Sequence, residues 1–173
     1  MASYDQRNQR VYKQINIVEG PKPVDPDVVF KQGVQFLKVK SYQQSINFLN
    51  DAIKADPSIP YFYYYLALAL LRGRRPKILK RSEIEEIDQL LSAATVGDSD
   101  ATVQWFRALV RDDYYRGNRM NCPSPSVEDI LGSIHPDAAI NIDRLEELLV
   151  KLPMTDNQLY IILVKQIRDW RNV

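Results

Sequence analysis

Few side chains in this sequence of 173 residues can act as nucleophiles or bind a metal. His135 is its single histidine and Cys122 its single cysteine, and each directly precedes a proline in a predicted loop. A zinc site needs several protein ligands, and His135 has neither a second histidine nor a Glu-x-x-His partner. A nucleophilic Cys122 would need a base and a third group that orients the base, which the sequence does not supply. We therefore predict no catalysis, no metal site and no cofactor.

Two runs of acidic residues, at 83–88 and 143–147, carry carboxyl groups that could in principle serve as general acids or bases. Both runs fall in amphipathic helical patterns beside lysine and arginine, which is typical of solvated helix faces. The six glycines are all isolated, so the sequence contains no glycine-rich loop that would bind phosphate. These observations favour a binding protein over an enzyme.

Basic residues are concentrated between residues 72 and 81, where six of ten positions are lysine or arginine. An anion site here would bind an acidic partner segment, RNA or a lipid headgroup. Its candidate residues are Arg74, Arg75, Lys77, Lys80 and Arg81. The alternative is a solvated loop whose charge is neutralised by the neighbouring acidic residues that begin with Glu83 and Glu85. The net charge of +1 and the lack of an RNA-binding motif weigh against a general affinity for nucleic acid.

The residues discussed so far must be positioned by amphipathic helices, and short helix-breaking segments separate these helices. Asp25 followed by Pro26 is typical of a helix N-cap and first helical residue. Three further helix starts fit the capping-box pattern, in which side chains and backbone N–H groups cap each other. These pairs are Ser41 with Gln44, Ser82 with Glu85, and Thr155 with Gln158. The helical spacing of apolar residues also predicts helices over 60–72, about 101–116 and 142–151, and a short helical turn at 126–132. The sequence thus predicts an all-α protein.

Residues 26–59 contain small and large residues at the positions where two helices of a hairpin would cross. Small residues let two helices approach, and large ones fill the groove between them. The pattern is Gly33, Phe36, Ser45, Leu49, Ala52 and Pro57. It resembles the 34-residue tetratricopeptide repeat without a gap. A second repeat fits through Tyr63 and Leu66 only with an insertion around 74–81, and a third is faint near Ala108.

The resemblance implies antiparallel helical hairpins stacked as a short right-handed solenoid, with the C-terminal helices as a cap. In this family the first helix of each repeat lines a concave surface that binds a helix or an extended peptide. Here that surface would be formed by Phe30, Val34, Tyr61, Tyr64, Leu68 and Arg72. Tyrosine and arginine are favoured at interfaces, but an aromatic stripe is also typical of a helix buried in a core, here under the C-terminal helices. Phe30 and Val34 replace the polar residues with which family members hold a carboxylate, so no carboxylate grip is expected.

The first 25 residues differ in composition from the remainder. Gln, Asn and Arg are abundant, and a weak alternation between Val11 and Val18 is typical of a strand. We interpret this segment either as a flexible tail or as a strand that pairs with a partner's sheet or a second copy. The Gly and Pro cluster at 20–26 marks the boundary, so the helical domain is predicted to cover 26–173.

The compartment and the function are predicted from these patterns. A single cysteine cannot form an internal disulfide, and the polar N-terminus is unlike a signal peptide, so we expect a cytoplasmic protein. The apolar run from Tyr61 to Leu71 is about half of the ~20 residues that a membrane helix needs. We predict a non-catalytic adaptor or scaffold that binds a protein or peptide through its concave face. The alternative is a nucleic-acid or anionic-surface binder that uses the basic residues at 72–81.

Overall fold

The computed structural model describes residues 25–96, 100–152 and 154–171. Within these ranges the chain forms eight α-helices and no strand, which confirms the all-α prediction. The predicted strand or tail at 1–24 lies outside the described residues, as do the Gly97-to-Ser99 breaker and Pro153. No helix in the described ranges combines the length and apolar character required to cross a bilayer.

The helices are joined by short connections. The first four are α1 (Pro26–Lys38), α2 (Tyr42–Ala55), α3 (Pro60–Leu71) and α4 (Arg81–Ala94), with a short 3-10 turn at Pro76–Ile78 between α3 and α4. The last four are α5 (Thr102–Arg111), α6 (Val127–Gly132), α7 (Ile142–Lys151) and α8 (Gln158–Arg171). Each of the first five helices packs against the next one in the sequence.

The hairpin of α1 and α2 depends on the close approach that the sequence indicates. Asp25 caps α1, since its Oδ1 accepts a hydrogen bond of 2.9 Å from the Asp27 N–H. A Cβ atom added to Gly33 would lie 2.8 Å from Cγ of Leu49, so only glycine fits at this crossing without a shift. Lys40, with φ of 60°, turns the chain into α2.

Helix α3 is apolar nearly all round because it is covered on more than one side. Phe62 packs with Val29 and Ala52 from the first hairpin. On its other sides, Leu66 and Leu71 join the main core, which also contains residues of α4, α5, α7 and α8. A helix hydrophobic on all faces is expected at the centre of a globular domain.

None of the three predicted capping boxes forms. Ser41 is the N-cap of α2, but its hydroxyl donates to Oε1 of Gln44 at 2.5 Å and no side chain caps the helix N–H groups. Helix α4 begins closer to the N-terminus, with Lys80 as its N-cap, and Glu83 accepts a hydrogen bond of 2.9 Å from the Lys80 N–H in place of the Ser82–Glu85 pair. Helix α8 is capped by Asn157, whose Oδ1 accepts from the Tyr160 N–H at 2.9 Å, and not by Thr155. In both places several polar residues fit the pattern, and tertiary packing selects among them.

The predicted continuous helix over 101–116 changes type partway. α5 ends at Arg111 and is followed by a π-helical turn at Asp112–Arg116, in which the Gly117 N–H donates to the Asp112 carbonyl at 3.3 Å. A Cβ atom at Gly117 would lie 2.1 Å from the Asp113 carbonyl oxygen, so no side chain fits there. The wider turn leaves Asp112, Asp113 and the two adjacent tyrosines all buried.

Candidate partner-binding groove

Helix α7 covers the middle of the surface that was predicted to bind a partner. The guanidinium of Arg144 lies 3.8 Å from the ring centroid of Tyr64, and Phe106 meets the same ring edge-on at 5.4 Å. Tyr64 is 1% exposed and Leu68 is 4% exposed. The prediction that Tyr64 faces a partner is therefore corrected, because Arg144 of α7 and Phe106 of α5 cover its ring, whereas Leu68 lies in the main core and borders a second cavity.

The N-terminal ends of α1 and α3 remain open beside α7 and form a cavity of 570 Å³, which we call the aromatic pocket. Its lining combines apolar rings with one ion pair. The lining residues are Phe30, Val34, Pro60, Tyr61, Tyr65, Asp100 and Arg144. Three of the predicted partner-binding residues, Phe30, Val34 and Tyr61, are thus brought together.

Phe30 holds the apolar wall of the aromatic pocket in place. Its ring stacks on Phe62 at 4.9 Å and meets Tyr61 and Tyr65 edge-on at 4.9 and 5.2 Å. Such pairs stabilise fixed ring orientations beyond their area burial. Because the rings support one another, the wall is formed before any ligand arrives.

Tyr61 also carries the polar rim of this wall. Its hydroxyl donates a hydrogen bond of 2.8 Å to Oδ1 of Asp27. Burial, followed by the hydrogen bond and the negative charge of Asp27, raises the pKa of Tyr61 to about 12. The hydroxyl therefore stays protonated near neutral pH and adds no charge to the pocket; its proton is donated to Asp27, so its oxygen can accept a hydrogen bond.

The opposite wall of the aromatic pocket is an ion pair between Asp100 and Arg144, with an N–O distance of 3.0 Å. Burial on its own would raise the pKa of Asp100. Hydrogen bonds from the Thr102 side chain and backbone and from the Asn141 backbone, together with the charge of Arg144, lower it overall. The carboxylate orients the guanidinium while that group lies over Tyr64.

Arg72 lies away from the aromatic pocket, at the other end of α3. It ends the helix in the left-handed conformation, with φ of 52°, and its exposed side chain donates to Oε1 of Gln43 at 3.3 Å. Of the six predicted partner-binding residues, three line the aromatic pocket, two are buried in the core, and Arg72 lies at a distant helix end.

The basic residues at 72–81 are largely engaged with acidic ones. Arg74 pairs with Glu83 at 2.9 Å and Arg81 with Glu85 at 2.8 Å, as expected for a loop neutralised by the adjacent helix. Arg75 is paired with Asp113 and also with Asp156. Its pKa is raised, mainly by the hydrogen bond to Asp113.

The same loop is also fixed by its backbone. The Lys77 N–H donates to Asp113 Oδ2 at 3.0 Å, and the Lys77 carbonyl accepts from Asn118 Nδ2 at 2.9 Å. The side chains of Lys77 and Lys80 are exposed. These contacts fix the loop at 72–81 against the π-helical turn. Because Arg74, Arg75 and Arg81 are paired with carboxylates, few cations of the loop remain to bind an external anion.

The sequence did not indicate Tyr65, Asp100 or Arg144 as site residues. Tyr65 lies one helical turn after Tyr61, so extending the predicted face by one position would have found it. Asp100 and Arg144 are 44 residues apart in the chain and meet only through tertiary packing. No local pattern distinguishes them from other surface charges.

Cys122 and His135, the two residues considered first for chemistry, have different surroundings. Cys122 is a half-buried free thiol. His135 is exposed, and its Nδ1 accepts a hydrogen bond of 3.2 Å from the Asp137 N–H. Comparisons of this chain with protein-family models, with curated proteins and with solved structures found no match.

Proposed function

We propose that this chain is a non-catalytic protein-interaction module that binds a partner segment in the aromatic pocket. One observation carries the proposal: the rings of Phe30, Tyr61 and Tyr65 line an open cavity on the folded protein. Pockets that bind ligands are mostly apolar and preformed, with a few polar groups that fix orientation. The aromatic pocket fits that description, with Asp100 and Arg144 as its polar groups.

The chemistry of the pocket favours an apolar side chain presented by a helix or an extended peptide. Aromatic rings give a large contact area and lose little conformational entropy when a partner binds. Phe30 and Val34 offer no charge to a terminal carboxylate, and Arg144 is already paired with Asp100, so we expect the partner to bind through an internal segment. The single cysteine supports a reducing compartment, and we include a cytoplasmic location in this proposal.

We also propose that the hairpins of α1 with α2 and of α3 with α4 are tetratricopeptide-like repeats. The approach of Gly33 to Leu49 supports this, because the family uses small residues at that crossing. The covering of Tyr64 by Arg144 of α7 means that a partner would reach the concave face at its ends and not at its middle.

The experiment that tests the proposal is partner capture with the full-length protein, followed by affinity measurement with the purified partner. Val34→Asp places a charge in the aromatic pocket and should weaken binding by about tenfold or more, equivalent to about 1.4 kcal/mol. Val28→Asp is the matched control, since Val28 lies on the same helix, is 51% exposed and does not line the pocket. Circular dichroism should show that both variants remain helical.

The outcome against the proposal is equal affinity for the partner in the wild type, Val34→Asp and Tyr65→Ala. Recovery of nucleic acid alone, lost after nuclease treatment, would also contradict it. In that case the exposed Lys77 and Lys80 would become the residues to replace.

A further inference from the structure

A second cavity, of 360 Å³, lies between the C-terminal ends of α1, α3 and α7. We call it the lysine pocket. Three lysines contribute to a lining that is otherwise mainly apolar. The lining residues are Leu37, Lys38, Lys40, Tyr42, Leu68, Gly73, Val150, Lys151 and Leu152.

The floor of the lysine pocket is aliphatic and fixed. Leu37 and Leu68 are each 4% exposed and Leu152 is 1% exposed, so their positions are held by the core. Val150 stands at the rim with 82% of its surface exposed. A ligand with an aliphatic group would cover apolar surface on both the floor and the rim.

One wall of the lysine pocket is built by a close contact between Tyr42 and the chain at Gly73. Gly73 has φ of 66°, and a Cβ atom added there would lie 2.6 Å from the Tyr42 hydroxyl oxygen. The Tyr42 hydroxyl therefore lies at the wall of the lysine pocket, beside the aliphatic floor.

The charged residues that line the lysine pocket are three lysines. Lys38 and Lys151 are the last residues of their helices, where a positive charge offsets the partial negative charge of the helix end. Lys151 is further neutralised by Glu147 at 2.7 Å. Lys40 and the adjacent Arg72 add positive charge, and no carboxylate is among the lining residues.

We propose that the lysine pocket binds an aliphatic side chain of an acidic partner segment, such as leucine, isoleucine or methionine flanked by aspartate or glutamate. The inference rests on the proposed function as a protein-binding module and specifies the chemistry of the partner at a separate pocket. The aliphatic floor selects the side chain, while Lys38, Lys40 and Arg72 attract the flanking carboxylates. Binding of a nucleic acid in place of a peptide is an outcome that the test below separates from this proposal.

The test uses the full-length protein and a set of short synthetic peptides with a central leucine, isoleucine or methionine. In one series the flanking residues are glutamate and aspartate, in a second they are lysine, and in a third the central residue is serine. The acidic aliphatic peptides should shift the methyl NMR signals of Leu37, Leu68 and Leu152 and bind at least tenfold more tightly than the other series. Raising the salt concentration should weaken this binding.

Variants locate the binding. Lys38→Glu combined with Lys40→Glu should weaken the acidic peptides by about tenfold or more, because both side chains are exposed and close to the pocket. Val150→Asp should have a similar effect without loss of stability, given the exposure of Val150. Lys31→Glu is the control: it is an exposed lysine on α1 outside the pocket, and it should leave affinity unchanged.

The proposal is overturned if no peptide in the set shifts the three leucine methyl signals, or if acidic and basic peptides bind equally. Saturation by a free fatty acid or by a nucleic acid, with no binding of any peptide, would overturn it as well. These results leave the aromatic pocket untouched, since Val34→Asp reports on that site alone. Loss of partner capture in Val34→Asp with no peptide binding would support the proposed function and reject this inference.

Discussion

In the described part of α1 to α4, Ser45 is the one buried residue with a hydrophilic side chain, whereas five such residues lie between α5 and the start of α8. Those five are Thr102, Arg111, Asp112, Asp113 and Asn157. The first half is held by apolar side chains at helical spacing. In the second half, charged and polar groups pair across long stretches of sequence.

The boundary between the halves is itself ionic. Asp88 of α4 accepts hydrogen bonds from Arg107 at 2.8 and 3.1 Å and from Arg111 at 2.7 Å. Arg111 is 3% exposed, and its guanidinium also donates to the Pro123 carbonyl. A buried charge is costly unless it is paired, so we expect removal of one member of this cluster to be strongly destabilising.

Removing the shared carboxylate should have the largest effect. Asp88→Ala leaves Arg107 and Arg111 without their common partner, and breaking such a buried pair costs about 3–5 kcal/mol of the free energy of unfolding. Urea titration followed by circular dichroism measures the loss. Glu86→Ala, an exposed acidic position on the same helix, should cost under about 0.5 kcal/mol. Equal losses in the two variants would contradict an ionic boundary.

Asn157 tests the polar packing of the second half at a single side chain. It caps α8 and also donates to Oδ2 of the buried Asp112 at 2.7 Å. Asn157→Ala should lower the free energy of unfolding by about 2–4 kcal/mol, the sum of a lost cap and a lost bond to a charged group. Asn157→Asp keeps the cap but places a second carboxylate against Asp112, so it should be no more stable than the alanine variant. A stable aspartate variant would show that the contact with Asp112 is unimportant.

Gly33 is the corresponding test of apolar packing in the first half. Gly33→Ala pushes a methyl group against Leu49, and this overpacking should lower the free energy of unfolding by about 1–3 kcal/mol. The higher helix propensity of alanine offsets about 1 kcal/mol of that loss. We expect a net loss, measured by thermal unfolding. Gly132→Ala is the matched control, because a Cβ atom at Gly132 has no neighbour within 4 Å. It should be neutral or slightly stabilising.

Acid should reveal the smallest difference, through Asp100. Its pKa is lower in the folded chain, so its contribution to stability is present above the unfolded pKa of about 3.9 and is lost as the pH falls through the folded value. Asp100→Asn should be less stable than the wild type at neutral pH. It should also lose less stability than the wild type as the pH falls below about 4. Urea midpoints over this range measure the two slopes. If the urea midpoints of the two proteins fall in parallel with pH, Asp100 does not contribute to the pH dependence of stability.

The sequence predicted the local parts of this structure well. The bounds of α7 match the prediction, and the close crossing at Gly33 was indicated by residue size alone. The π-helical turn was not predicted, because adjacent buried aspartates contradict a helical apolar pattern unless their partners are known. Those partners, Arg75 and Asn157, are distant in the sequence.

The aromatic pocket was predicted only in part, because long-range packing positions some of the residues concerned. Phe30, Val34 and Tyr61 share a pocket because they lie on helix faces that periodicity identifies. Tyr64 has the same spacing but is buried, since the position of α7 depends on long-range packing that no local pattern encodes. The binding role of the remaining residues stays a prediction.

The π-helical turn at Asp112–Arg116 has a consequence for how the chain tolerates changes in length. A π-helical turn holds one residue more than an α-helical turn. Deleting one residue here would restore an ordinary helical turn, but it would remove or displace one of the buried side chains of Asp112, Asp113, Tyr114 and Tyr115. A single-residue deletion should therefore be far more harmful here than in the loop between this turn and α6, although both lie close together in the sequence.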